Sequence, residues 1–129
     1  MQFVIMVSDF FLNKENSNSA FLFACSLLKL GHKLNNVFFY FDAVLHANNM
    51  ITTSYDQINL GLEWNKLSIN YNFPIYVCSK TSIERGIVSK NEVKSTKYLN
   101  YMNMYPSCNL IGYTEWLLLT YKCDRIIQF

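Results

Sequence analysis

Apolar runs separated by polar, cap-rich segments recur along this chain, and their period switches between that of a strand and that of a helix. Gln2 to Val7 (QFVIMV) is a short run of β-formers that predicts a buried strand. Ser8 to Asn18 is polar and suits a strand-to-helix loop, with Ser17, Asn18 or Ser19 able to cap the next helix. From Ala20 to Leu30 the spacing is helical: Ala20, Phe21, Ala24, Leu27 and Leu28 share one face. Leu22, Phe23 and Leu30 widen that face, so the helix is expected to be covered on more than one side. Gly31 is a natural C-terminal stop. Lys33 to Phe41 (KLNNVFFYF) predicts a second buried strand, and Asp42 to Asn49 a loop or short helix.

Ser54 followed by Gln57 reads as a capping box. Ile58 to Tyr71 fits two periods, since Ile58, Leu60, Leu62 and Trp64 alternate while Leu60, Trp64, Leu67 and Tyr71 form a helical stripe. Its unbroken length favours a helix, because strands rarely pass ~10 residues. Pro74 ends it, and Ile75 to Val77 predicts a short buried strand with Cys78 at its C-terminal end. Thr81 with Glu84, and Ser89 with Glu92, match capping boxes for a helical turn and for a helix over Lys90 to Leu99. Tyr98 to Pro106 reads as a loop, Asn109 to Ile111 as a strand, Thr114 to Tyr121 as a helix and Asp124 to Phe129 as a last strand. Strands alternating with helices, each strand continuously apolar, predict a parallel sheet covered on both faces. The fold class is therefore α/β, a flavodoxin-like three-layer sandwich with a five-stranded, mostly parallel sheet, in a single domain over residues 1–129.

Composition adds one point to this picture. Of 129 residues, 51% are hydrophobic and 16% charged, more apolar than a small isolated domain needs, so the surplus is expected at a subunit interface. The net charge of +2 is too small to indicate a nucleic-acid binder. No basic region leads into an apolar run with a small-residue cleavage site, and no apolar run approaches the ~20 residues that cross a bilayer. A reducing cytoplasm with free thiols is expected for Cys25, Cys78, Cys108 and Cys123.

In open parallel sheets, reacting groups gather outside the C-terminal ends of the strands. Cys78 is the strong nucleophile at such a position. Thiolate is the reactive form, and a helix starting after Cys78, with Lys80 and Arg85 nearby in sequence, would favour the anion. The same position also suits a small hydrophobe closing the strand, and position alone does not choose between the two. Cys25 reads as core packing within the apolar helix, Cys108 as an exposed loop thiol with nothing to activate it, and Cys123 as packing before the last strand. His46 follows a strand end and is the better candidate of the two histidines for a site wall, though a satisfied core histidine suits it more; His32 would answer the carbonyls of the helix ending at Gly31. The glycines, Gly31, Gly61, Gly86 and Gly112, are too scattered for a phosphate-binding loop, which weakens a flavin or nucleotide module. No Cys/His spacing suits zinc.

The segments QFVIMVSD, SAFLFACSLLKLGHKLNNVFFY, HAN, IYVCSKTSIERGIV and CDRIIQF together resemble the DsrE-like sulfurtransferases, colinearly from Gln2 to Phe129. The resemblance implies that Cys78 is the catalytic cysteine and carries a persulfide, with no metal or organic cofactor. It implies a heterohexamer, built as a dimer of trimers, with TusB- and TusC-like subunits. A TusA-like donor would supply the sulfur and a TusE-like acceptor would take it on, ending in 2-thiolation of a tRNA wobble uridine. No membrane contact and no direct nucleic-acid binding are expected. The chain departs from the family pattern at Asp9 to Asn13 and at Gly112 to Trp116 with the Leu run after it. A non-catalytic structural subunit, or a DsrE-type subunit in sulfur oxidation, would fit the same resemblance.

Overall fold

The computed structural model describes residues 1–10, 15–90 and 102–129. Its elements are β1 (Gln2–Val7), α1 (Glu15–Lys29), β2 (Lys33–Phe39), a 3₁₀-helix (Phe41–Ala47), α2 (Leu60–Tyr71), β3 (Ile75–Cys78), α3 (Ser79–Glu84), β4 (Cys108–Ile111), α4 (Tyr113–Thr120) and β5 (Arg125–Gln128). Apart from Lys90 itself, the expected helix over Lys90 to Leu99 lies outside the described residues, as does the start of the loop after it.

All five strands are parallel, in the order β4-β3-β2-β1-β5. The three-layer α/β class expected from the sequence is what forms. The strand order differs from the 2-1-3-4-5 of flavodoxin itself. The chain winds outward from β1 through β2 and β3 to β4, and α4 then carries it back past β1 to β5. Right-handed crossovers place the helices of the outward path on one face and α4, on the return path, on the other. Two neighbouring phenylalanines of β2 show both faces. Phe39 meets Trp64 of α2 edge-on at 6.0 Å, while Phe38 stacks on Trp116 of α4 at 4.3 Å and 13°. Successive strand residues point to opposite faces, so each phenylalanine belongs to a different layer of the core.

Helix boundaries follow caps that sequence spacing located imperfectly. α1 begins at Glu15, a turn before the expected Ala20, and Ser17 lies inside it instead of capping it. At its C-terminus Gly31 takes φ +80°, the left-handed conformation that only glycine adopts without strain. The backbone N–H of His32 then donates to the Leu27 carbonyl at 3.2 Å, so His32 answers the helix end through its main chain. Ser54 and Gln57 form a turn, not a capping box, with Gln57 N donating to the Ser54 carbonyl at 3.0 Å. α2 starts later, where the Asn59 side chain accepts from Leu62 N at 3.2 Å. The first N–H groups of a helix need partners from outside it, and Asn59 supplies one that a Ser/Gln pattern does not reveal.

Gly61 marks a close approach between α2 and the 3₁₀-helix. A β-carbon there would overlap the His46 carbonyl oxygen and stand 3.2 Å from its carbon. Gly61→Ala is therefore expected to push α2 off the 3₁₀-helix and cost about 1–3 kcal/mol, read from the urea midpoint. An unchanged midpoint would show that the two backbones are less closely packed.

Sheet edges differ from the expectation of strands covered throughout. β5 lies at one edge with Arg125, Ile126 and Gln128 exposed. Beside it α4 buries Trp116 and Thr120 but leaves Leu117, Leu118 and Leu119 exposed, Leu118 at 75%. No described helix is long and apolar enough to cross a membrane.

Candidate active site

Cys78 closes β3 and is the N-cap residue of α3, with φ −61° and ψ 118°. The expected capping box at Thr81 is displaced by this. Thr81 lies within α3, and its hydroxyl donates back to the Cys78 carbonyl at 3.4 Å. On either side of β3 stand β2, where Phe39 pairs with Val77, and β4, where Ile111 pairs with Cys78 itself.

Two expectations about this thiol change. A nucleophile at a strand end must be within reach of its partner, yet this thiol is 3% exposed. Arg85 was expected to lend it positive potential. Instead the Arg85 guanidinium binds Asp42 at the start of the 3₁₀-helix, with Nη2 and Nε at 3.0 and 3.1 Å from Oδ1, and reaches Glu84 at 3.5 Å. These contacts tie α3 to the element after β2. Lys80 is exposed on α3. Ser82, a turn further along α3, is fully buried, and its hydroxyl finds no hydrogen-bond partner among the described residues.

The remaining cysteines occupy separate environments. Cys108 is not an exposed loop thiol: it is the first residue of β4, buried, and burial pushes its thiol up to about 12. It stays protonated at neutral pH and is a poor nucleophile. Cys25 lies half-buried on α1 outside the core, its thiol raised by desolvation, with Lys29 opposing and Glu63 adding to that shift. Cys123 is half-buried before β5. Among the described residues no group of His, Cys, Asp and Glu is arranged to hold a metal ion.

His46 is the buried, packed histidine that its position suited. Its ring lies 4.9 Å from Phe10 and 5.4 Å from Phe39, and Nε2 is 3.4 Å from Ser17 Oγ. Ser17 donates to the Asp9 carbonyl, which also bonds the histidine. His46 lines a small cavity with Phe10, Leu45 and Leu60, away from Cys78. Burial lowers its pKa from 6.5 to about 4, with the Asp9 carbonyl opposing. Between these values the unfolded chain takes up a proton that the folded chain refuses, so stability falls as pH falls through that window. The loss is expected to be about 2 kcal/mol at pH 5 relative to pH 8. The check is the difference between the pH profiles of unfolding for the native chain and His46→Gln; parallel profiles would show that the imidazole is solvated.

Sequence reasoning passed over the aromatic residues around the sheet's C-terminal edge. Phe41 has φ +48°, a left-handed conformation that costs a bulky side chain about 1–3 kcal/mol, and it is 50% exposed. Its ring lies 4.0 Å from that of Tyr40, which in turn lies 5.4 Å from Tyr113. No local pattern announces this cluster, because its members come from the ends of β2 and β4.

Fold and site together define an open, all-parallel α/β protein with a cysteine closing an inner strand. The chain belongs to the DsrE/DsrF-like family, whose model matches residues 1–129. It is similar to the sulfurtransferase TusD of Buchnera aphidicola subsp. Acyrthosiphon pisum (strain 5A), 38% identical over 129 residues and 100% of both chains. The sulfurtransferase TusD of Proteus mirabilis (strain HI4320) is 32% identical over 100% of this chain and 98% of its own. Among solved structures, the ychN protein from E. coli shares the fold, with a TM-score of 0.76 at 15% identity over 99% of this chain and 98% of its own. The names of its TusD relatives support a sulfurtransferase role for a member of this family.

Proposed function

We propose that this chain is a sulfurtransferase subunit of a sulfur relay and carries the sulfur as a persulfide on Cys78. The observation that carries the reading is the place of Cys78, at the C-terminal end of β3 and the cap of α3, where open parallel sheets present reacting groups. In loading, the Cys78 thiolate attacks the outer sulfur of a donor persulfide, R–S–SH. A new S–S bond forms to Cys78, the donor's S–S bond breaks, and its electron pair leaves with the donor as R–S⁻. The product is Cys78–S–SH, and no net oxidation occurs. An acceptor thiolate then takes the outer sulfur by the same step, returning Cys78 as thiolate. Neither step needs a metal or an organic cofactor.

The finer reading follows the TusD relatives. The donor would be a TusA-like protein, the acceptor a TusE-like protein, and the end of the relay the 2-thiolation of a tRNA wobble uridine, in the cytoplasm. TusB- and TusC-like subunits would complete a heterohexamer around this single domain. Leu117, Leu118 and Leu119 on α4, with Ile126 on β5, supply the exposed apolar surface that such an assembly covers.

The test is incubation with a persulfidated donor, followed by intact-mass analysis and peptide mapping. One added sulfur on Cys78 supports the reading, while sulfur on Cys25 or Cys123 overturns the site. A second reading, a non-catalytic structural subunit, is favoured by the 3% exposure of Cys78. It wins if Cys78→Ala retains full sulfur transfer in the assembled complex.

A further inference from the structure

We infer that the rings of Tyr40 and Tyr113 close over Cys78 and decide which molecules reach its sulfur. This inference deepens the sulfur-carrier reading and rests on it for its functional meaning. The geometry begins with the strand ladder. Phe38 pairs with Tyr76 and Phe39 with Val77, so Tyr40 follows β2 at the level of Cys78 on β3. Alternation along parallel partners places Tyr76, Cys78, Phe38 and Tyr40 on one sheet face. That face is the one covered by α4, as the Phe38–Trp116 stack shows.

On the far side of β3, Cys78 pairs with Ile111, and Tyr113 follows as the first residue of α4. β2 and β4 are separated by β3, and neighbouring strands lie ~4.8 Å apart, so side chains from the two meet only by reaching across the strand between them. The Tyr40 and Tyr113 ring centroids are nevertheless 5.4 Å apart. Tyr40 stands one residue beyond Phe39 and Tyr113 two beyond Ile111, so rings that touch on the α4 face meet close to the end of β3, where Cys78 stands.

Burial of the sulfur is local. On the same face Asn109 is exposed and Tyr76 and Ile111 are half-buried, whereas Cys78 is 3% exposed. Neither covering ring is deeply buried: Tyr113 is 42% exposed and Tyr40 is half-buried, with Phe41, 50% exposed, leaning on it at 4.0 Å. Partly solvated side chains exchange rotamers quickly, so such a cover can open without unfolding the sheet. Phe41 beside Tyr40 takes φ +48°, a strained conformation for a bulky residue. A small hydrophilic thiol brings nothing to replace these contacts. A carrier protein that presents its cysteine on an apolar segment does, and so gains entry.

The experiment is alkylation of the full chain by iodoacetamide, with the rate resolved for each cysteine by peptide mass spectrometry. Tyr113→Ala is expected to raise the rate at Cys78 about tenfold or more, as loss of a local barrier would. Tyr113→Phe keeps the native rate, because the ring and not its hydroxyl provides the cover. Cys108, buried on the opposite face, serves as the internal control. An unchanged Cys78 rate in Tyr113→Ala overturns the inference, and so does an equal rise at Cys108, which would mean general loosening. Tyr40→Ala takes the place of Tyr113→Ala, under the same criteria, should that variant not fold. With Cys78 persulfidated, Tyr113→Ala is further expected to lose its sulfur to glutathione faster than the native chain. A chain that accepts no sulfur from any persulfide donor defeats the carrier reading, while the alkylation rates still judge the cover.

Discussion

Cys78→Ser is expected to lower sulfur transfer by at least about a thousandfold, because an alcohol is neither a comparable nucleophile nor able to hold sulfane sulfur. The fold should survive the change. Cys78 contributes a small side chain at the strand end, and its structural work lies in its backbone: the Ile111 pairing, and the carbonyl that Thr81 caps at 3.4 Å. Serine reproduces both. The stability cost is therefore expected to stay within about 1–2 kcal/mol, mainly from burying a hydroxyl where a thiol sat. Two measurements separate chemistry from structure: single-turnover transfer from a persulfidated donor, and the urea midpoint of the same sample. Residual transfer above a tenth of the native rate would remove Cys78 from the mechanism. The other thiols offer no replacement by geometry, since Cys108 is on the opposite sheet face and is pushed up to about 12, Cys25 lies on α1, and Cys123 precedes β5, which β2 and β1 separate from β3.

Trp116→Ala is expected to be the most destabilising single change among the described side chains. The indole is 1% exposed, stacks on Phe38 at 4.3 Å, and donates Nε1–H to Asn36 Oδ1 at 2.9 Å across 80 positions of sequence. Removing it opens a large cavity between α4 and the sheet, worth about 3–5 kcal/mol. It also leaves the 3%-exposed Asn36 carbonyl oxygen without this partner, which raises the loss toward the upper end of that range. The melting temperature is expected to fall by roughly 15 °C. Trp116→Phe keeps the aromatic stack and loses the hydrogen bond, so it should cost about 1–2 kcal/mol. A loss below about 1 kcal/mol for Trp116→Ala would mean that α4 is not held to the sheet by this side chain. Because Tyr113 begins the same helix, Trp116 also sets where the ring near Cys78 can stand.

Local sequence suffices for some elements and not for others. QFVIMV, KLNNVFF and IYVC are strands within two residues of expectation, because short runs rich in Val, Ile, Phe and Tyr between turn signals suit a covered strand. The helical stripe through Leu60 and Trp64 likewise prevails over its alternating pattern, since length rules out a strand there. Caps were less legible. Asn59 and Cys78 start α2 and α3, although Ser54 and Thr81 match the familiar pattern better. A capping motif works only where the chain direction turns, and that direction is imposed by distant packing. The exposure of β5 and of the α4 leucines was also out of reach, because burial of an edge depends on which strand ends there.

The α/β alternation, the end of β3 at Cys78 and the family of the chain were all written in the order of residues, since each depends on neighbours along the backbone or on colinearity with a relative. The strand order, the pairing of Arg85 with Asp42 and the burial of the Cys78 sulfur emerged only on folding. Those depend on which side chains from separate strand ends come to share one small volume. Neither hydrophobic period nor spacing encodes that proximity, because it is fixed by the crossovers that bring β2, β3 and β4 side by side.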